Sequence, residues 1–209
     1  MQLLEALNWR YAVKRMNGNK VPEEQINRIL EAVRLSPSAY GLQPYTIFLT
    51  ENEELKKRIR TAAFDQPQIT ECSHLLVFAA WNDVTEKHVQ DYLTFAASVR
   101  NVSIEKLNKL KNHIIKFVES RTTKEKCEWA LRQTYLTLGT AITAAAIEGV
   151  DSIPIEGFIP DEVDKILSLQ EKGLRSVALL ALGYRDEEND YLAKAKKVRR
   201  PKEELIQCI

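Results

Sequence analysis

The sequence contains few cysteines and glycines, and what it lacks excludes several common kinds of site. Its three cysteines, Cys72, Cys127 and Cys208, stand far apart and form no C-x-x-C pair, which argues against a zinc ribbon, a redox dithiol or a disulfide framework. Unpaired cysteines favour a reducing compartment, so we expect a cytoplasmic protein. The seven glycines are too widely spaced for a G-x-G-x-x-G fingerprint, a Walker loop or a G-x-S-x-G nucleophile elbow.

Long hydrophobic runs and an excess of one charge are also missing. No apolar stretch reaches the length of about 18 residues that a membrane span needs, and the first ten residues are too polar for an export signal. Lys and Arg total 30 against 29 Asp and Glu, a net charge of +1, which gives no overall field to attract nucleic acid. The three histidines fit no H-E-x-x-H pattern, and we predict no metal site.

Hydrophobic periodicity predicts a single domain over residues 1–209, made of helices on a small sheet. Nearly continuous apolar runs predict strands at 45–50, 74–81 and 175–183. Helical spacing predicts helices at 1–15, from Pro22 to before Ser36, from a Thr50–Glu53 capping box to about 63, within 85–120 as one or two surface helices, from a Thr122–Glu125 capping box to Gly149, and at 161–169. Loops are predicted at 36–44, 64–68 and 152–160, and a polar tail at 184–209.

Two clusters of cations and two nearly uncharged loops are the candidate binding elements. Arg10 and Lys14 stand four residues apart, so one turn of the predicted first helix would let both cations meet one anion such as a phosphate. Residues 194–202, KAKKVRRPK, contain six basic residues in nine. Taken alone, each cluster is also typical of a solvated helix face or tail. The loops at 36–44, SPSAYGLQP, and 154–158, PIEGF, expose backbone groups suited to a planar polar ligand.

Five segments, in chain order, resemble the successive signatures of the nitroreductase family. They are Arg10-Tyr11-Ala12-Val13-Lys14, Ser36-Pro37-Ser38 with Gln43-Pro44, Phe64-Asp65-Gln66-Pro67-Gln68 followed by Ser73-His74, Pro154-Ile155-Glu156-Gly157-Phe158, and Lys197-Val198-Arg199-Arg200-Pro201. The resemblance implies the nitroreductase-like α+β fold, in which helices flank a small central mixed or antiparallel sheet, and an intertwined homodimer with FMN at the subunit interface. It also implies an NAD(P)H oxidoreductase that takes hydride from NADH or NADPH and reduces nitroaromatics, quinones or similar small electrophilic acceptors by ping-pong transfer.

The resemblance further implies a role for particular residues. The implied cofactor-binding residues are Arg10, Tyr11, Ala12, Lys14, Pro37, Ser38, Ala39, Gly41, Gln43, Asp65, Gln68, Pro154, Ile155, Glu156, Gly157, Lys197 and Arg199. In the family, the arginine of the first segment meets the FMN phosphate or ribityl chain, and the lysine lies by the pyrimidine edge. The tail closes on the phosphate or on the partner subunit, and the loop at 37–43 reaches the flavin from the other subunit. Residues 65 and 68 contact the polar edge or the ribityl chain, while the backbone of residues 156 and 157 lies near the flavin N5.

The substrate side and the chemistry follow from the same resemblance. Tyr40 and Ile115 are the implied substrate-side residues. No catalytic acid, base or nucleophile is assigned, since the flavin carries the hydride chemistry and Lys14 tunes it by stabilising negative charge. Ala12 stands where relatives often have Ser or Thr, and Asp65 where many have Asn, so we expect altered flavin affinity or potential.

Two other classes of function remain open at this stage. A non-catalytic FMN-binding protein for storage or sensing would keep the same phosphate and ribityl contacts. A nucleic-acid-binding protein would use the basic tail, but the tail lacks interleaved aromatic residues.

Overall fold

The structure is a computed structural model that describes all residues from Met1 to Ile209. Its elements are α1 (Leu3–Trp9), α2 (Glu23–Arg34), β1 (Tyr45–Thr50), α3 (Glu53–Ala62), α4 (Gln68–Glu71), β2 (His74–Trp81), α5 (Glu86–Arg100), α6 (Asn108–Glu119), α7 (Thr123–Ile147), β3 (Asp151–Ile155), α8 (Pro160–Leu167), β4 (Leu174–Gly183) and α9 (Lys202–Leu205). No helix has both the length and the apolar character needed to cross a membrane.

The four strands form one antiparallel sheet in the order β1-β2-β4-β3. The predicted α+β class and the three predicted strands are therefore confirmed, with β4 beginning one residue earlier than expected. Strand β3 was not predicted, because Pro154 gave the segment the appearance of a loop. Proline lacks a backbone N–H and is tolerated on an edge strand, and β3 is an edge strand that pairs only with β4.

Alternate residues of the two central strands point to opposite faces of the sheet, as the pleat requires. On one face, Leu75 and Val77 of β2 pack in a core with residues of α3, α4 and α8. On the other face, Leu76 and Phe78 pack in a second core with residues of α2 and α7. Both faces of β2 are thus covered by helices, which explains its uninterrupted apolar sequence.

A third core cluster forms around α5 and α6. It comprises buried residues of these helices together with Leu42, Val84 and Leu107, and Tyr40, Trp81 of β2 and Trp129 of α7 pack against it. The helices α5 and α6 confirm the expectation of one or two helices within 85–120. This third core cluster therefore joins the loop before β1 to the helical segment of α5 and α6, which lies between β2 and α7 in the chain.

The ends of several helices depart from the sequence predictions. The first helix was expected to reach residue 15, but α1 ends at Trp9. The Thr50–Glu53 capping box was wrong, since the Asn52 side chain caps α3 by accepting from the Leu55 N–H at 2.8 Å. The Thr122–Glu125 box at the start of α7 is confirmed.

Candidate functional site

The segment that follows α1 runs extended and not helical. Its backbone forms isolated β-bridges from Ala12 to Ser152 and from Met16 to Arg185. Neither Arg10 nor Lys14 lies in a helix, so the rise of about 1.5 Å per residue that brings positions i and i+4 onto one helical face does not apply to this pair. The expectation that these two cations meet one anion through a helical turn was therefore wrong, because tertiary pairing overrides the local helical pattern.

A cavity of about 330 Å³ lies between this segment and the C-terminal tail. Its wall on one side is formed by residues 8–12 and on the other by residues between Leu192 and Arg199, with Arg185 at the base. Arg10, Lys197 and Arg199 all line it. The structure thus brings together cations that are separated by nearly the whole chain.

These three cations have no carboxylate partner within salt-bridge distance. The pKa of Arg10 is lowered by burial and by repulsion from Arg199, with Asp151 acting in the opposite direction. The pKa of Lys197 is lowered by burial and by repulsion from Arg10 and Arg199. The Arg10 Nε is buried and has no hydrogen-bond partner. A cavity with mutually repelling cations and an unpaired buried donor suits a multiply charged anion.

Lys197 has a second, structural use. Its ammonium group donates to the carbonyl oxygens of Leu7 and Arg10, which are acceptors at and just past the C-terminal end of α1. A cation at this position satisfies free carbonyls and opposes the helix dipole. The tail is therefore fixed onto the segment that carries Arg10.

A buried ion pair supports the base of the cavity. Arg185 binds the carboxylate of Asp151 through Nε at 3.0 Å and Nη2 at 2.6 Å, and only 3% of the Asp151 side chain is exposed. The Arg185 guanidinium also lies over the rings of Trp9 and Tyr11, at 4.4 and 4.6 Å from their centroids. Ion pairing and cation–π contact together fix the position of this cavity wall.

Asp190 joins the tail to the extended segment. Its Oδ2 accepts the Tyr11 hydroxyl at 3.0 Å and the Lys14 backbone N–H at 2.6 Å, and its Oδ1 accepts the Leu192 N–H at 2.8 Å. Burial and the Asp190 carboxylate both raise the pKa of Tyr11. The side chain of Lys14 is half-buried and has no carboxylate partner.

The loop that carries Pro37, Ser38, Ala39, Gly41 and Gln43 is held from both sides. The Ala39 N–H donates to Gln133 of α7 at 2.8 Å, and the Gln43 N–H donates to the Ser38 hydroxyl at 3.0 Å. Gly41 has a φ of 74°, and an added Cβ would lie 3.2 Å from the Tyr92 hydroxyl. None of these loop residues lines the cavity at Arg10, so within one protomer the structure does not bring this loop to the cations.

The two substrate-side candidates pack against the same third core cluster. Tyr40, in this loop, has a φ of 62°, and its carbonyl accepts the Tyr92 hydroxyl at 2.6 Å. Its ring packs edge-on against His113 and Phe117 of α6, each at 5.7 Å. Ile115 lies on α6 between those two residues in sequence.

The remaining candidates lie on two loops that touch each other. The Gln66 side chain donates to the Gly157 carbonyl at 2.7 Å, which joins the loop of Asp65 to that of Glu156. Asp65 has a φ of 56°, and Gln68 is buried with its Oε1 unpaired. Pro154 and Ile155 lie on β3 beside the bridge between residues 12 and 152, so β3 connects this loop pair to the segment of Ala12.

Sequence reasoning missed the residues that hold these candidates in place. Asp190 and Arg185 both lie in the polar tail predicted at 184–209, whose sequence gives no sign that its charged residues form buried pairs. Gln133 did offer a signal, because it is a polar residue in the apolar stretch of the long helix, where it binds the loop at Ala39. Tyr92 gave none, since an aromatic residue on an amphipathic helix is ordinary core.

Comparison with known proteins identifies the family of the chain. The model of the nitroreductase family matches residues 7–184, and the chain belongs to that family. A Staphylococcus haemolyticus protein named "Putative NAD(P)H nitroreductase" is 32% identical, with 99% of this chain and 97% of that protein covered. The "Major NAD(P)H-flavin oxidoreductase" of Aliivibrio fischeri is 30% identical, covering 98% and 97%.

Similarity of fold extends to solved structures. A crystal structure from Exiguobacterium sibiricum, described as a "putative nitroreductase in complex with FMN", superposes with a TM-score of 0.84. It covers 100% of this chain and 98% of its own, at 20% identity. The nitroreductase-like fold expected from the sequence is therefore confirmed.

Proposed function

We propose that the protein is an FMN-dependent NAD(P)H oxidoreductase that reduces nitroaromatics, quinones or similar electrophilic acceptors. The observation that carries this proposal is the cavity in which Arg10, Lys197 and Arg199 converge without any carboxylate. Such a site suits a terminal phosphate, and FMN ends in one. The names of two relatives with about 30% identity refer to NAD(P)H nitroreductase and NAD(P)H-flavin oxidoreductase activities, and one structural neighbour holds FMN.

The residues present fit that cofactor. Arg10 offers a buried and unpaired Nε, and Arg199 adds a second guanidinium from the tail. Lys14 follows four residues later on the same non-helical segment, and in this proposal Arg10 meets the phosphate while Lys14 lies near the ring system. The unpaired buried oxygen of Gln68 is an acceptor of the kind that ribityl hydroxyls or ring N–H groups satisfy.

When bound, FMN supplies the hydride chemistry, taking hydride from NADH or NADPH and passing it to the acceptor in a ping-pong sequence. The protein's own residues bind the cofactor, orient it and adjust its reduction potential. Lys14 holds a positive charge where the ring gains negative charge, and a fixed charge stabilises that state without reorganisation. The backbone of Glu156 and Gly157, held by the Gln66 side chain, lies at the reacting edge in this proposal. Tyr40 and Ile115 border the acceptor.

The proposed assembly is an intertwined homodimer. Leu3 and Leu4 of α1 and Leu136 of α7 are large apolar side chains exposed on the protomer. A shallow groove of about 560 Å³ runs over small residues of α7, including Gly139, and Pro37 lines it too. Contiguous exposed apolar surface of this kind is typical of a protein interface. A partner docked there would meet the loop at 37–43, which lies away from the cations of its own protomer.

In this proposal residues 1–209 form a single domain whose tail, 184–209, closes over the phosphate and contacts the partner. The three cysteines are free, and we place the protein in the reducing cytoplasm.

The decisive experiment adds NADH or NADPH anaerobically to the FMN-loaded protein. We expect the yellow absorbance to bleach and to return when a nitroaromatic or a quinone is added. A protein that binds FMN but is never bleached would instead be a storage or sensing protein, and a protein that takes up no FMN would refute the proposal. Light scattering after size exclusion tests the dimer, with Gly139→Leu as a variant that fills the groove.

A further inference from the structure

The part of the tail from Asp190 to Lys197, called the strap below, is fixed at both of its ends. At one end the Asp190 carboxylate binds the Tyr11 hydroxyl and the Lys14 N–H. At the other end the Lys197 ammonium group binds the carbonyls of Leu7 and Arg10. Both ends are therefore attached to the single stretch of chain that carries the cavity's buried arginine.

The middle of the strap lies over the cavity. Leu192, Ala193, Ala195 and Lys196 line it between the two fixed ends, and they form no regular secondary structure. An irregular segment with few buried apolar contacts opens at low free-energy cost unless specific bonds hold it. The bonds at the two ends are therefore what keep the strap closed.

The Asp190 end is the more deeply buried of the two. Only 4% of this residue is exposed, and its carboxylate accepts three hydrogen bonds, at 3.0, 2.6 and 2.8 Å. Hydrogen bonds to an ionised carboxylate are about twice as strong as neutral ones. The donors of Tyr11 and Lys14 hold the strap to the extended segment, while the Leu192 N–H lies in the strap itself and orients the carboxylate.

We propose that Asp190 is a positioning residue that holds the strap over the phosphate end of the bound ligand and thereby sets how fast the ligand leaves. The ligand's identity as FMN rests on the proposed function. A ligand whose phosphate lies against Arg10 lies beneath residues 192–196. Its departure requires the strap to lift, and the strap cannot leave the segment of Arg10 as a whole unless Asp190 releases Tyr11 and Lys14.

The test compares Asp190→Asn with Asp186→Asn in the full-length protein. The asparagine side chain has an NH₂ group in place of one of the two carboxylate oxygens. Whichever oxygen is replaced, at least one of the groups that donate to Asp190 then faces another donor. Asp186 is a matched control, because its half-buried carboxylate accepts hydrogen bonds only from local groups of residues 188 and 189. FMN release is followed by the return of flavin fluorescence after dilution. We expect release about tenfold faster in Asp190→Asn, the factor expected for one charge-assisted hydrogen bond, and unchanged release in Asp186→Asn.

Limited trypsin digestion of the FMN-free protein provides a readout that needs no flavin. We expect cleavage after Lys194 and Lys196 to become several times faster in Asp190→Asn, while cleavage after the distant, exposed Lys87 keeps its wild-type rate. A general loss of stability would accelerate both sites equally, and that result overturns the proposal. Wild-type rates of release and of strap cleavage in Asp190→Asn also overturn it.

If Asp190→Asn does not fold, a milder variant tests the same contact. Tyr11→Phe removes one hydrogen bond to Asp190 and keeps the ring beneath Arg185, and we expect about threefold faster strap cleavage. An unchanged rate in this variant argues against the strap. If the wild-type protein binds no FMN, the proposed function fails, and the digestion results still decide whether Asp190 holds the strap.

Discussion

Removing the charge of Arg199 should change the stability of the FMN-free and FMN-bound protein in opposite directions. The Arg199 guanidinium is exposed and donates only to the Val198 carbonyl, at 2.7 Å. Its charge nevertheless contributes to the lowered pKa values of Arg10 and Lys197. Arg199→Met therefore relieves repulsion in the free protein, with little loss of packing, and removes one phosphate contact from the complex.

The expected magnitudes follow from the geometry. A charge-assisted contact to phosphate contributes about 1.5 to 3 kcal/mol, which corresponds to FMN binding weakened roughly 10- to 150-fold. Repulsion between partly solvated cations is smaller, from a few tenths to about 1 kcal/mol. The melting temperature of the FMN-free protein should therefore stay the same or rise by up to about 4 °C.

Fluorescence titration with FMN and with riboflavin measures the first effect, and thermal melts of the FMN-free protein measure the second. Riboflavin lacks the phosphate, so its affinity should not change. Arg200→Met is the matched control, because Arg200 is the neighbouring exposed cation but does not line the cavity. Equal losses for both flavins, or an equal loss in the Arg200 variant, would refute the assignment of the cavity to a phosphate.

Three further predictions concern the ring, the ion pair and a buried histidine. Lys14→Met should lower the reduction potential of bound FMN and slow its reduction by NAD(P)H by roughly one to two powers of ten, measured by redox titration and stopped flow. Asp151→Asn should cost about 3 kcal/mol in chemical denaturation because it leaves Arg185 without its partner. Burial lowers the pKa of His74 in the folded protein, although the nearby Glu51 carboxylate acts in the opposite direction. The unfolded chain therefore binds a proton at His74 more readily than the folded protein does. Stability should therefore decline as the pH falls below about 6.5, and His74→Gln should flatten this decline in denaturation series at several pH values.

The elements that sequence patterns predicted well are those whose neighbours impose a simple periodicity. Strand β2 was predicted at 74–81 because helices cover both of its faces, and a fully buried strand reads as an unbroken apolar run. The second helix and the long α7 were predicted from one-sided apolar spacing and from their N-terminal residues. Local chemistry determines these elements, so local sequence reveals them.

The errors lie where distant contacts decide the local conformation. The apolar spacing of Leu3, Leu7 and Tyr11 continues past the end of α1, but the Tyr11 hydroxyl bonds to Asp190 and Ala12 bridges to Ser152. These partners lie well over a hundred residues away in sequence, and no local pattern reports them. The family resemblance named Arg10 and Lys14 as candidates, whereas only the structure showed that they lie on an extended chain.

The hydrogen bond between Tyr92 and Tyr40 has a consequence for the energetics of the acceptor side. Tyr40 and Leu42 pack in the third core cluster with α5 and α6, while Ala39 is bound to α7 through Gln133. Two adjacent residues of this loop are therefore held by different elements, Ala39 by α7 and Tyr40 by α5. Local opening of α5 would release Tyr40 and leave the contact at Ala39 in place. The rigidity of the proposed acceptor side thus depends on how firmly α5 and α6 pack against their neighbours.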